Sequence, residues 1–245
     1  MLMKATLHSL PFARSLGSIL LAAVSFLMLP ARAAEPNTLT ADEKSAGWSL
    51  LFDGKSLHGW RNFGKPTPPS QGWSVENGVL KCIAGGKGGD LISERAFEEF
   101  ELSWEWSIPA KANNGLKYFI LEERGQAIGH EYQMIDDQTA PHRKHATASF
   151  YDVLPPSSPT HPKPFGEWNH SRVVVRGQRV EHWLNGERVL TYELGSPELQ
   201  QAVAASKFKS VAKFGTRVRG HIVLTYHNDE ASYRNVKIRD LSTAR

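Results

Sequence analysis

The run Phe100-Glu101-Leu102-Ser103-Trp104-Glu105-Trp106-Ser107-Ile108 constrains the fold more than any other stretch of this chain. Every second residue is large and apolar, and every residue between is acidic or small and polar. That period-two pattern marks a strand with one face in a core and the other turned outward. Such a strand belongs to an antiparallel sheet covered on one side, since parallel strands are buried on both faces and read as continuous apolar runs. Glu101 and Glu105 are accordingly expected on a solvated outer surface.

The rest of the chain follows the same grammar. Strand-like segments at 48–52, 57–60, 72–75, 78–83, 116–121, 168–176, 179–185, 187–194, 220–227 and 232–241 are separated by turn clusters. Glu76-Asn77-Gly78, Gly177-Gln178 and Asn185-Gly186 are tight hairpin turns, and Asn113-Asn114-Gly115 is expected to turn the chain. One helix is expected, starting at Ser196-Pro197-Glu198, with Ser as N-cap, Pro at the first helical position and Leu199, Val203 and Phe208 on its apolar side. Many short strands and one short helix predict an all-β, antiparallel β-sandwich or jelly roll. Residues 139–166 form a long irregular region with His142, His145, His161 and six prolines, in which 148–152 has strand character.

Residues 1–34 read as a secretory signal peptide: Lys4 and Arg14 precede an uncharged run over 16–29, and small residues follow Pro30. Its apolar core is too short to span a membrane. The leader carries Lys4, Arg14 and Arg32 and no acid, so the formal charge falls from +4 to +1 for the remainder. Export to the periplasm or the medium is the expectation, with 35–245 as a single domain. Without a basic block interleaved with aromatics, nucleic-acid binding is discarded. Cys82 is the sole cysteine, which excludes an internal disulfide or a multi-cysteine zinc site. Lying on the side of Leu80, it is expected to be a buried, unreactive thiol.

The functional candidates centre on Glu131-Tyr132-Gln133-Met134-Ile135-Asp136-Asp137. At period two, Glu131 and Gln133 share one face while Tyr132 and Met134 take the other. A carboxylate and an amide on one face are costly in a dry core and cheap along a wet cleft. A bulge after Ile135 would bring Asp136 or Asp137 onto the same face. His182 shares the side of Val180 and Leu184, which fits either a satisfied core histidine or a groove residue beside Glu131. Glu167-Trp168-Asn169 can cap a strand or line a sugar site, where an aromatic face packs on ring C–H groups. His142 and His145 have no partner at familiar ligand spacing, and oxygen-bound calcium through Asp136, Asp137 or Asp152 is left open.

Six segments in order resemble the 3-keto-disaccharide hydrolase domain family. They are 51–60 (LFDGKSLHGW), 88–92 (GGDLI), 131–137 (EYQMIDD), 166–169 (GEWN), 180–186 (VEHWLNG) and 233–239 (YRNVKIR). The resemblance covers nearly the whole chain after the leader and implies a concanavalin A-like jelly roll acting on glycosides oxidised at C3. A more distant likeness is to laminarinase-type hydrolases, whose catalytic strand reads Glu-x-Asp-x-(x)-Glu. Here the row is Glu131, Gln133, Asp136, so the carboxylate pair of ordinary glycoside hydrolysis is not reproduced. The segment around His227 also departs from the Gln-Asp-His-Gly form of the family.

A C3 ketone acidifies the C2 proton, so a base can remove it while the C1 substituent leaves, and water can add to the enone. From their polar types on strands expected to face the groove, His182 or Glu131 is the expected base, Lys117 or a bound divalent cation the expected enolate stabiliser, and Tyr151 or Glu167 the expected acid. Asp90, Asn114, Gln133, Asp136, Trp168 and His227 are expected against the sugar. The competing reading is a non-catalytic, lectin-like module using the same groove without a base.

Overall fold

Phe100, Leu102, Trp104 and Trp106 are buried, as their spacing requires, and their strand lies inside one of two antiparallel sheets that share a core. The computed structural model describes residues 35–242, so the expected signal peptide lies outside the described residues. In spatial order the first sheet comprises β11 (Glu187–Glu193), β10 (Arg179–Leu184), β9 (Asn169–Arg176), β6 (Phe100–Ser107), β13 (Ala231–Asp240), β4 (Val79–Cys82) and β3 (Trp73–Glu76). β1 (Trp48–Leu50) pairs with the C-terminal half of β13. The second sheet runs β2 (Trp60–Asn62), β5 (Leu91–Phe97), β12 (Gly220–Leu224), β7 (Asn113–Ile120) and β8 (His130–Ile135). The fold is a jelly-roll sandwich.

Several expectations change in detail. Two helices are present among the described residues, not one. α1 (Ala41–Ser45) is a five-residue turn closed by a Thr40/Glu43 capping box, too short to show an apolar period. α2 (Pro197–Ala204) begins as expected, with the Ser196 hydroxyl accepting from Leu199 N. β5 escaped the sequence reading because Glu94-Arg95 interrupts its apolar pattern. Asn113, Asn114 and Gly115 open β7 instead of turning the chain.

The outer face of β6 is not simply solvated. Glu101 is buried beneath Arg172 of β9 (2.9 Å) and Arg239 of β13 (2.5 Å), and Glu105 pairs with Arg234 (2.6 Å). The flanking strands supply the cations that cover the acids. Cys82 is buried, and burial pushes its thiol up to about 12, as an inert cysteine requires. No helix among the described residues is long and apolar enough to cross a membrane.

Candidate active site

The alternation in β8 holds: Tyr132 and Met134 enter the core between the sheets, and Glu131 lies on the opposite face. In β7, Lys117 is the register partner of Glu131. Beyond it, Phe119 takes φ 59°, and the β12 register shifts at His221/Val223, so the strand bulges. Phe119 therefore joins Tyr118 in the core, and Ile120 turns outward to Ile92 and Val223, where Phe63 and Ala127 cover them. Strict alternation would have placed Phe119 on the face of Lys117, and the bulge reverses this. Lys117 keeps its outward place because the bulge lies after it.

Glu131 and Lys117 form part of the wall of an open cavity of about 370 Å³, together with Tyr151, Lys207, Phe208 and His227. That volume falls within the range of about 300–1,000 Å³ of small-molecule sites. Tyr151 arrives because residues 148–151 run along the free edge of β8: Ala148 N donates to Gln133 O, Gln133 N to Ser149 O, and Tyr151 N to Glu131 O. The edge is thereby closed, and the Tyr151 ring stands beside Glu131 with the Lys207 ammonium 4.1 Å from its centroid. The other walls are tied together by Arg124, which donates to Ile128 O and Ala212 O.

Glu131 has an unusual standing. It is only 5% exposed, yet its Oε1 has no hydrogen-bond partner, and it forms no ion pair with Lys117. The carboxylate lies over Gly115 of β7, where a Cβ would sit 2.2 Å from Oε1. The Thr225 hydroxyl, from the chain whose amide bonds Gly115 O, is a second buried group without a partner. A buried carboxylate oxygen without a protein partner at a cavity wall is unusual in folded proteins, and at Glu131 it is open to whatever occupies the cavity. The site thus offers a free carboxylate, two ammonium groups, a phenol and an imidazole on one hollow.

His182 is not among them, which corrects the expectation that it shares a groove with Glu131. Its strand belongs to the other sheet, and it is 0% exposed in the core. It closes a hydrogen-bonded chain whose directions are internally consistent. Gly215 N donates to His130 Nε2, and His130 Nδ1 donates to the Tyr192 hydroxyl. Tyr192 then donates to Tyr118, Tyr118 to His182 Nε2, and His182 Nδ1 to Ala148 O. Burial drives the His182 pKa down to about 4 and that of His130 well below the ordinary histidine value, so both imidazoles are neutral. The core-histidine alternative is the one the structure adopts.

Other expected residues also lie elsewhere. Glu167 is exposed at the entry to β9, and the Trp168 indole packs under the Arg234 guanidinium at 4.2 Å. Asn114 faces the core and accepts from the Tyr233 hydroxyl. Gln133 donates to Asn113 Oδ1, and Asp136 caps the amides of Lys111 and Gln138. Asp136 borders a separate, mainly apolar hollow of about 220 Å³ near Trp106 and Phe165, so no bulge carries it to Glu131. Asp90 accepts from Tyr226 N at 2.7 Å and so anchors the chain just before His227 without lining the cavity. Lys207 was not anticipated, and Phe208, expected on the apolar side of the helix with Leu199 and Val203, lies beyond the end of α2 at Ala204 and lines the cavity instead.

The jelly roll and its cavity are common to many functions, and comparison with known proteins narrows this. Residues 47–239 match the model of the 3-keto-alpha-glucoside-1,2-lyase-like domain, and the chain belongs to that family. It is 32% identical, over 86% of its length and 84% of the relative's, to a Bacteroides thetaiotaomicron protein named 3-keto-disaccharide hydrolase. Among solved structures it is similar to a Parabacteroides distasonis protein classed as a glycosyl hydrolase (31% identity, TM-score 0.77, 84% of this chain and 100% of that one). A second Parabacteroides distasonis structure, at 22% identity and TM-score 0.62 over 79% and 99% of the two chains, shares the fold.

Proposed function

We propose that this protein is an exported enzyme that cleaves the glycosidic bond of 3-keto-glycosides by elimination followed by hydration. Family membership and the named relatives support a glycoside-acting enzyme. The observation that carries the mechanism is the buried Glu131 carboxylate, whose Oε1 has no partner at the wall of an open cavity. Glu131 removes the proton on C2, which the neighbouring C3 ketone acidifies. Lys117, from the facing position in β7, holds the negative charge that collects on the C3 oxygen. The C1–O bond breaks as the enolate re-forms the ketone, leaving a C1=C2 double bond, and the Tyr151 hydroxyl protonates the departing oxygen. Water then adds its hydroxyl to C1 and a proton returns to C2, so the net change is hydrolysis to a 3-keto sugar and the free aglycone. His227, on the same wall, contacts the sugar. The leader-like residues 1–34 support export.

The test is aglycone release from a 3-keto-glucoside. Glu131→Gln keeps the shape and loses the base, for an expected drop of about 10²–10⁴-fold. Lys117→Met is expected to lose about 10²-fold or more through the unstabilised enolate. Unchanged turnover in both variants ends the assignment. A wild-type protein that binds the sugar and returns it intact is instead a lectin-like module.

A further inference from the structure

The proposed chemistry leaves unused a constellation in the irregular region 139–166. His142 and His145 bracket the 3-10 turn Arg143–His145, and their ring centroids lie 4.0 Å apart. The loop returns with Asp152, whose Oδ1 is 3.1 Å from His145 Nε2. One donor atom from each of the three residues falls within 4.8 Å of the other two. Sequence spacing concealed this, because Asp152 reaches the histidines through the path of the loop.

The carboxylate is held in place from behind. Asp152 takes φ 63°, a left-handed conformation that costs a non-glycine residue free energy and needs support from its surroundings. That support is visible: its amide donates to Lys144 O at 2.9 Å, and its Oδ2 accepts from Lys207 N at 2.8 Å. Oδ1 is thereby directed to the imidazoles, as outer hydrogen bonds orient carboxylates in metal sites. Two imidazoles with one carboxylate suit a borderline divalent transition ion. A hard ion such as calcium would want six or more oxygens.

We propose that His142, His145 and Asp152 bind a divalent transition-metal ion of the zinc class. Three protein ligands leave a coordination position for water. The ion would hold a loop that has six prolines and little regular structure to hold it otherwise. It would also set the cavity wall. His145 stacks on Tyr151 at 4.5 Å, and the Tyr151 amide is bonded to Glu131 O. Binding itself is independent of the reaction proposed above.

The experiment uses the tag-free chain without its leader, stripped with chelator and titrated with Zn²⁺ by calorimetry. Co²⁺ provides a visible absorption band as a second readout. One ion per chain is expected, with a thermal midpoint that rises on Zn²⁺ addition. His142→Ala removes an exposed side chain, and Asp152→Asn preserves shape. Each is expected to weaken binding by about 10-fold or more and to abolish the thermal shift. Absence of stoichiometric Zn²⁺ binding to the folded wild-type chain, or equal affinity in wild type and both variants, overturns the proposal whether or not the enzyme turns over a 3-keto-glycoside.

Discussion

Replacing His182 by glutamine separates a structural imidazole from a catalytic one. Glutamine stays neutral at all relevant pH values and keeps a donor for Ala148 O and an acceptor for the Tyr118 hydroxyl. In the wild type, burial lowers the His182 pKa from 6.5 to about 4, so the folded state refuses a proton that the unfolded chain accepts. Above the unfolded value both states are neutral and the group has no effect on stability. Below it the unfolded chain protonates first, and stability falls with pH until the folded imidazole also titrates. At about 1.4 kcal/mol per pH unit, this one residue removes about 2.5 kcal/mol between roughly pH 7.5 and pH 4.5. His130, held neutral in the same way, and the carboxylates that also titrate there are present in both proteins, so their contributions cancel in the comparison. Urea denaturation followed by tryptophan fluorescence at the two pH values measures the difference. The acid-induced loss of stability is expected to be smaller in His182→Gln by about 2–3 kcal/mol, while turnover near neutral pH stays within a few-fold. An identical pH dependence in the two proteins would refute the buried-neutral argument. A folded His182→Gln without turnover would return the residue to the chemistry.

Gly115→Ala places a methyl group 2.2 Å from Glu131 Oε1 and must displace the carboxylate. A misplaced base is expected to lower kcat/KM by about 10²-fold with the circular dichroism spectrum intact, and unchanged kinetics would mean that Glu131 does not need its seat on Gly115. On the opposite sheet, Glu101→Ala leaves Arg172 and Arg239 without their shared carboxylate. Because both guanidinium groups keep partial access to water, the expected cost is about 2 kcal/mol, lower than for a fully buried pair. A urea midpoint within error of wild type would show that solvent replaces the ion pairs.

The sandwich was legible because alternation is a local property: each strand such as β6 states on its own which side is apolar. The same property explains both the success at Glu131 and the failure at His182. Glu131 shares its side with Gln133, so its own strand already declares that side polar, and the cavity is found there. His182 shares its side with Val180 and Leu184, and the strand declares that side apolar just as plainly. The polar partners that satisfy the imidazole, Tyr118 and Ala148, come from elsewhere in the chain and leave no mark near residue 182. What alternation cannot express is a change of phase or a convergence of loops. The bulge at Phe119 inverts the face of Ile120 with no warning from glycine or proline at the site itself, though Gly220, distant in sequence, leaves its Cβ position free for the Phe119 backbone. Lys207 reaches Tyr151, and Asp152 reaches His145, along backbone paths that no period describes. A titratable residue on a strand is therefore best judged by the company on its own face: polar neighbours at i±2 point to a cleft, and apolar ones point to a core in which even a histidine is expected to be neutral.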